Sequence, residues 1–552
     1  MTEDPLADVP IDEPPIDEPP IDEPLIEAPL APVPWRRLSR RMLLVHPVRE
    51  VGRFIPILIG IVLFGGHNPN GHWWGLIGVV VVIAASVMRW ATTSFQITPD
   101  QVQLRTGLFR KRILTTPADR VRTVDVTEHA LHRILGLAKV SIGTGISDEK
   151  KSGMVLDGLG VAEARALRGE LLHRTTPATT APARAMNPTG PAFQPLTPSL
   201  EAPVELPLER EDELLRLDPS WMRYAPLTFS GAVTGLAIVG VSVNALGQSN
   251  VNASKLRAVQ GTSRHLEHLP LWLSIVQVTL SLLAVVAVLS IIGYVLSFWN
   301  FRLTRHSGGT LQVTRGLLTT RSTSIERRRL RGVEISEPLF LRAARGSRLM
   351  AVATGLRMGR GSQRGGTVLA PPAPSGVITP LAGVVLAEIT EARGIARRTD
   401  SATAALIPHP PRARRRRINR AITPWVLLAI LFAILWGTLG LPKWFAVAGG
   451  GAALLFIPIG IDRYHSLGHQ FVDGFLITRY GSLVRRRVIL ESDGIIGWNE
   501  RRTFFQRRAG LVSLIATTAA GGQHYAVPDL SPEESLRVAR QATPGLLEPF
   551  LS

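Results

Sequence analysis

The chain has 552 residues, 45% of them hydrophobic, yet it carries a formal net charge of +19 and no cysteine. That length admits three or more folded units, and the pairing of apolar content with basic charge fits a membrane protein with basic soluble parts better than a soluble enzyme. The missing cysteines exclude disulfides, Cys-ligated zinc and cysteine nucleophiles. Lysine supplies only six of the 62 basic residues, and the Arg, Ala, Gly and Pro bias matches high-GC codon usage, so arginine content alone carries little functional weight.

Residues 1–34 form an acidic, proline-rich tail with the tandem pentads IDEPP, IDEPP and IDEPL. Such a segment cannot bury a core and is expected to be disordered. It lacks the basic flank and apolar centre of a secretory signal, so it is expected to stay in the mature protein.

Apolar runs then come in pairs, at 54–66 and 73–90, 226–247 and 271–299, and 423–440 and 443–461. Most reach the roughly 20 residues needed to cross a bilayer; the first is short for a full span. The chain therefore divides into transmembrane hairpins at 35–91, 223–299 and 421–463, each followed by a soluble module, at 92–174, 300–395 and 464–545. A flexible linker at 175–222 and a basic linker at 396–420 separate them. Arg36, Arg37, Arg40, Arg41, Arg49 and Arg53 precede the first span, and the loop at 67–72 has no Lys or Arg. Arg412, Arg414, Arg415, Arg416, Arg417 and Arg420 precede the fifth span, with Lys443 alone beyond it. The positive-inside rule thus places both termini and all three modules in the cytoplasm, although Lys255, Arg257 and Arg264 leave the middle hairpin undecided by charge. The span interiors hold no Asp, Glu, Lys or Arg. They read as anchors rather than as an ion path.

The modules repeat in one register, counted from a glycine that ends an alternating run: VQLRTG at Gly107, LQVTRG at Gly316 and FLITRYG at Gly481. Position +5 is Arg112, Arg321 and Arg486; +14 is Val121, Leu330 and Ile495; +17 is Val124, Val333 and Trp498. Position +24 is Leu131, Phe340 and Phe505, and +26 is Arg133, Arg342 and Arg507. Such internal repetition fixes the architecture before any other argument. In the first copy strands are expected at 95–98, 102–107, 109–114, 121–126 and 138–144, with a closing helix near 161–174. The second closing helix is expected to start at Thr379-Pro380 and the third at Ser531-Pro532, where a hydroxyl cap precedes proline. The expected fold class is α+β: six transmembrane helices in three hairpins, each hairpin followed by a small barrel or strongly bent sheet capped by a helix.

These features resemble the bacterial pleckstrin-homology (PH) domain membrane proteins of the YdbT-like group. The resemblance rests on the strand ends GLFRKR (107–112), GLLTTR (316–321) and GSLVRR (481–486), on RILGL (133–137) and RRAGL (507–511), and on the paired spans. The second copy departs by moving the late glycine to Gly346, and the third by Gly494 and Ile496 in place of the arginine pairs Arg120/Arg122 and Arg329/Arg331. The resemblance implies PH-like barrels at a membrane, a smaller single-module sister protein as an assembly partner, and a task in envelope maintenance.

The candidate chemistry is lipid contact. Arg112, Arg321, Arg486, Arg133, Arg342 and Arg507, with Arg110, Lys111, Arg120 and Arg122, offer a basic face to anionic headgroups, each worth about 1 kcal/mol near the surface. The competing reading is that they pair with local carboxylates. The basic run at 412–420 lies beside a span and is read as topology plus headgroup attraction rather than nucleic-acid binding. His129 and His132 are read as a surface pair without a third metal ligand. No phosphate loop, nucleophile elbow or HExxH appears, so no cofactor, metal or catalytic residue is expected. The function read from the sequence is a non-catalytic membrane scaffold; the alternative is a transporter or channel component with PH-like regulatory domains.

Overall fold

A computed structural model of the chain describes residues 35–43, 84, 87–88, 90–98, 101–107, 111–117, 121, 123–143, 153–173, 211–228, 233, 237, 240, 269–306, 309–355, 368–394 and 400–546. The first module contains β1 (Arg36–Arg37), β2 (Ser94–Ile97), β3 (Gln101–Thr106), β4 (Arg112–Pro117) and β5 (Thr123–Glu128). Helix α1 (Ala130–Ile134), β6 (Leu137–Gly143), β7 (Gly153–Gly160) and the closing helix α2 (Val161–His173) complete it. The second contains β8 (Glu211–Arg216), α3 (Leu271–Phe298), β9 (Arg302–His306), β10 (Thr310–Arg315), β11 (Thr320–Glu326) and β12 (Leu330–Pro338). It ends with α4 (Leu339–Ala343), β13 (Gly346–Ala353), β14 (Val368–Pro374) and α5 (Ser375–Glu391). The third runs through α6 (Pro411–Leu439), α7 (Trp444–Leu455), α8 (Ile457–His465), β15 (Gly468–Val472), β16 (Phe475–Tyr480) and β17 (Val484–Glu491). It closes with β18 (Ile495–Arg501), α9 (Phe504–Ala509), β19 (Val512–Thr518), β20 (His524–Leu530) and α10 (Pro532–Ala542).

The turn glycine recurs in three dimensions as it does in sequence. Gly107, Gly316 and Gly481 have φ of 111°, 112° and 108°. A Cβ on Gly316 would stand 2.0 Å from the Thr319 carbonyl oxygen, and one on Gly481 2.0 Å from that of Val484. Only glycine fits this turn.

Of the small barrel or strongly bent sheet expected from sequence, no closed barrel forms among the described residues. In each module β2–β4, β9–β11 or β15–β17 belong to a different sheet from the three strands that follow them, and the sheets run between modules instead. The four-stranded sheet is β1-β2-β3-β4; the seven-stranded one is β7-β6-β5-β11-β10-β9-β8; the six-stranded one is β14-β13-β12-β17-β16-β15; β18-β19-β20 make the last. The late strands of one module are thereby hydrogen-bonded to the early strands of the next. Both kinds of half-sheet still share one core within each module, as Val102 does with Val124, Val140 and Leu156, or Leu476 and Val488 with Leu514 and Val527. The inter-module sheets bury further apolar surface: Phe475, Ile477 and Ile489 of the third module enter the core of the second. Each such side chain contributes about 1.5–3 kcal/mol of burial.

Three helices among the described residues are long and apolar enough to cross a membrane: Leu271–Phe298, Pro411–Leu439 and Trp444–His465. The last is α7 and α8 taken together, with Pro458 at the start of α8. Gly449 and Gly460 let this pair approach α6, since a Cβ at either would lie under 3 Å from Ala429 or Ile418. Close approach at small residues is how helices pack in lipid. The expected spans at 54–66, 73–90 and 226–247 lie outside the described residues, except for helical positions at 84, 87–88, 90, 233, 237 and 240 and a turn at 226–228.

A segment before each expected hairpin lies beside the strand after it. β1 pairs antiparallel with β2, β8 with β9, and Ile407 makes an isolated antiparallel bridge to His469. The segment at 400–410, within the basic linker expected at 396–420, is therefore docked on the third module, with Ser401 and His409 buried. Helix α5 also starts earlier than expected, at Ser375, leaving Pro380 inside it. The third closing helix begins as expected: the Ser531 side chain accepts from the Glu534 N–H at 3.3 Å.

Candidate functional site: the junctions between modules

Two strand pairs join the modules, and they use the same register. At the first, Thr323 lies opposite Asp125 and Arg321 opposite Thr127; at the second, Val488 lies opposite Glu334 and Arg486 opposite Ser336. Counted from the turn glycines, position +7 of the later module faces +18 of the earlier one both times. The +5 arginine consequently stands diagonally across from the +18 acid, within reach of a long side chain.

That geometry engages the arginines repeated at +5. Arg321 and Thr323 both donate to the Asp125 carboxylate, and Arg486 pairs with Glu334 at 3.5 Å. The +26 arginines also reach forward into the next module. Arg133 donates to the Leu317 carbonyl at 3.3 Å and to Thr320 Oγ1 at 2.6 Å. Arg342 pairs with Asp462 at 2.9 Å, and Asp462 also accepts from Ser482 at 2.9 Å. Arg331 (3.3 Å) and Arg393 converge on Glu491 to complete the second junction. Burial pushes the Glu334 carboxyl up, against Arg486 and Arg348, and pushes Glu491 up against Arg393 and Arg331. These are guarded, partly desolvated pairs, in which the loss of one partner strands the other.

The structure thus separates the arginines that the repeat aligned. Arg321, Arg486, Arg133 and Arg342 serve the junctions, and their partners lie in the neighbouring module rather than among the local carboxylates of the competing reading. Lys111 and Arg112 at the start of β4, and Arg507 in module three, are exposed and have no side-chain partner among the described residues. Arg110, Arg120 and Arg122 lie outside the described residues. In the basic run, Arg417 pairs with the fully buried Asp529 at 2.6 Å and Arg416 joins it, whereas Arg412, Arg414, Arg415 and Arg420 remain exposed. Sequence reasoning missed Asp125, Glu334, Asp462, Glu491 and Asp529. The signal at the first two was an acid shared at +18.

His132 corrects another expectation. It is buried, not on the surface, with Nε2 3.1 Å from Asp157. A second histidine pair is also buried: His409 Nε2 lies 3.2 Å from His469 Nδ1, and His469 Nε2 lies 3.2 Å from Glu534. Burial and the neighbouring His469 lower the His409 pKa from 6.5 to about 4.

Three modules of one design, each tied in the same register to the next, also agree with what known proteins show. The Bacterial PH domain family matches residues 48–175, 259–359 and 418–544, well over half of the chain. The chain belongs to the bacterial PH domain family. Its PH modules also resemble UPF0699 transmembrane protein YdbT of Bacillus subtilis (strain 168), with 24% identity over 129 residues. That alignment covers 23% of this chain and 26% of the relative, so the chain spans about a quarter of that protein's length in the match. No solved structure matches the chain. Family, relative and three apolar helices together make this a YdbT-like membrane protein with repeated PH modules.

Each junction is moored to the end of a span. The Gly316 N–H donates to the Trp299 carbonyl at 2.9 Å and the Leu317 N–H to the Leu296 carbonyl at 3.1 Å, which sets the exposed Leu318 beside the last turn of α3. The Leu339 N–H donates to the Leu483 carbonyl at 2.7 Å, beside the Asp462 contacts at the end of α8. In the third PH module, Leu511 packs on Ala413 of α6, and α9 presents Phe504 and Phe505 at 63% and 71% exposure. Leu131, Ile134, Phe340 and Leu483 are exposed at the equivalent places. Apolar tips therefore gather where the modules meet the spans.

Proposed function

We propose that this protein is a non-catalytic membrane scaffold. Its three PH modules form one continuous body held at the cytoplasmic face by six spans, touching the inner leaflet with apolar tips and contacting anionic headgroups with the cations left outside the junctions. The observation that carries this reading is the set of exposed apolar residues, Leu318, Phe340, Phe504 and Phe505 among them, on segments that contact α3, α8 or α6. Exposed apolar side chains in a soluble surface mark contact sites, and aromatic side chains suit the headgroup level. Arg507, Arg412, Arg414, Arg415 and Arg420 remain available for anionic lipid, at about 1 kcal/mol each. The arginines within the junctions are assigned to assembly of the body. The remaining contact partner in this reading is protein: a smaller membrane chain with a single PH module.

The absence of cysteine from the chain permits a clean test. Leu318→Cys, Phe340→Cys and Phe505→Cys, each carrying an environment-sensitive dye, are expected to be quenched by spin labels on lipid chains in nanodiscs. A control dye at His524→Cys on the far end of β20 is expected to be insensitive. Tips as wet and unquenched as the control discard the membrane-contact reading.

A further inference from the structure

Two junctions among three modules leave two strands unmatched. β4, which corresponds to β11 and β17, has no neighbour on its outer side among the described residues; nor does β18, which corresponds to β5 and β12. These edges are long and carry exposed Ile113 (55%) and Ile496 (65%). An open edge of this kind is a template for another strand.

The two free edges do not suit each other. In the shared register, a strand that receives an early-module edge carries an acid at +18, a hydroxyl at +20 and an acid at +21. These are Asp125, Thr127 and Glu128 at the first junction, and Glu334, Ser336 and Glu337 at the second. Glu337 lies 3.9 Å from Arg485, the residue opposite it. The third module has Asn499, Arg501 and Arg502 at those places. Laid against β4 in the same register, Arg501 would face Arg112 and Arg502 would face Lys111. Like charges directly opposite destabilise a strand pair, and Arg112 would find no carboxylate. The chain has thus lost, at its one remaining late strand, the chemistry that its two internal junctions use.

We infer that the β4 edge is a docking site for a late PH-module strand from a different chain, one that carries carboxylates at the positions facing Leu114 and Lys111, and that β18 is charged against pairing with a second copy. Arg112 is exposed and without a carboxylate among the described residues because its acid lies on that other chain. This deepens the scaffold reading, resting on its protein-contact part alone; it is independent of whether the apolar tips enter lipid.

The probe is the full-length chain with the partner's chemistry grafted onto it, N499D/R501T/R502E. Ile113→Cys and Glu500→Cys, opposite each other in the shared register, report the pairing by disulfide formation in a chain with no other cysteine. In detergent, the parent I113C/E500C chain is expected to remain a single species without crosslink. The grafted chain is expected to crosslink at least about tenfold more, from relief of two like-charge contacts and a restored carboxylate. Adding R112E to the graft should return it to the parental level. Crosslinking of the parent equal to that of the graft would show a second copy, or the chain's own end, as the occupant and overturns the inference. A graft that melts like the parent but does not crosslink overturns it equally. Dye quenching at Leu318, Phe340 and Phe505 moves in neither case, so the two readings fail separately.

Discussion

At Asp529 a carboxylate with no solvent exposure receives Arg416 and Arg417 from the start of α6, and Gln506 Nε2 at 2.9 Å. This one side chain ties the last strand of the third module to the helix that enters the membrane. Asp529 has φ of 63°, a conformation that asparagine also tolerates, so Asp529→Asn removes charge without straining the backbone. Two arginines would then face a neutral amide. We predict a loss of about 3 kcal/mol in the stability of the third module, near the lower end for breaking a buried ion pair. Hydrogen exchange of β19 and β20 in nanodiscs is the measurement, and protection unchanged from the parent would remove Asp529 from the docking of α6. The interaction spans 113 residues between Arg416 and Asp529. Nothing local in RARRRR separates the two arginines that reach Asp529 from the others that do not.

Strands rather than single residues show how the modules cohere. β3 alternates in burial because only one of its faces is covered, whereas the first four residues of β16 are all buried, one face in its own core and the other in that of the preceding module. The contrast is visible as QVQLRT against FLITRY, an alternating run against a nearly continuous apolar one, which is the pattern of a strand covered on both faces. The turn glycines and most strands of the first copy were legible because they depend on local periodicity and φ, although β4 lies three residues later than expected and β7 was not among the expected strands. The exchange of strands between modules was not legible, because Arg321 and Asp125 stand 196 residues apart and either could satisfy a solvated role alone. The +16 position gives a test of that exchange at one offset. Gly332 meets the next module so closely that a Cβ would stand 2.0 Å from the Ile489 carbonyl oxygen, while one on Gly497 would have nothing within 4 Å among the described residues. Gly332→Ala is expected to push β12 from β17, at a cost of about 1–3 kcal/mol, and to raise hydrogen exchange in both strands. Gly497→Ala is expected to leave the isolated chain unchanged. Equal effects at the two glycines would mean that the inter-module pairing contributes little.

For the molecule as a whole, the sheet edges constrain the path through the membrane. β8 and β9 are antiparallel neighbours, and the Leu217 N–H donates to the Phe301 carbonyl at 3.0 Å, so the chain leaves and re-enters the same edge of the same module. Any path from 217 to 301 must therefore cross a bilayer an even number of times. Since α3 is long enough to cross once, residues 217–270 must supply the return crossing if α3 spans, which fits the apolar run at 226–247. The same reasoning applies to β1 beside β2, and α6 with α7 and α8 form a described pair. This geometry addresses the middle hairpin, whose outer loop carries Lys255, Arg257 and Arg264 against the charge rule. A hydrogen-bonded edge outweighs three cations in a loop, because the sheet cannot be divided between the two sides of a membrane. Single cysteines at Pro69 and Gln260 are accordingly expected to react with an impermeant maleimide applied to intact cells. Cysteines at Lys150, Arg360 and His524 are expected to react only after the cells are opened. Labelling of Gln260→Cys from the cytoplasmic side alone would require the middle segment to enter and leave without crossing, and would reduce the spans to four.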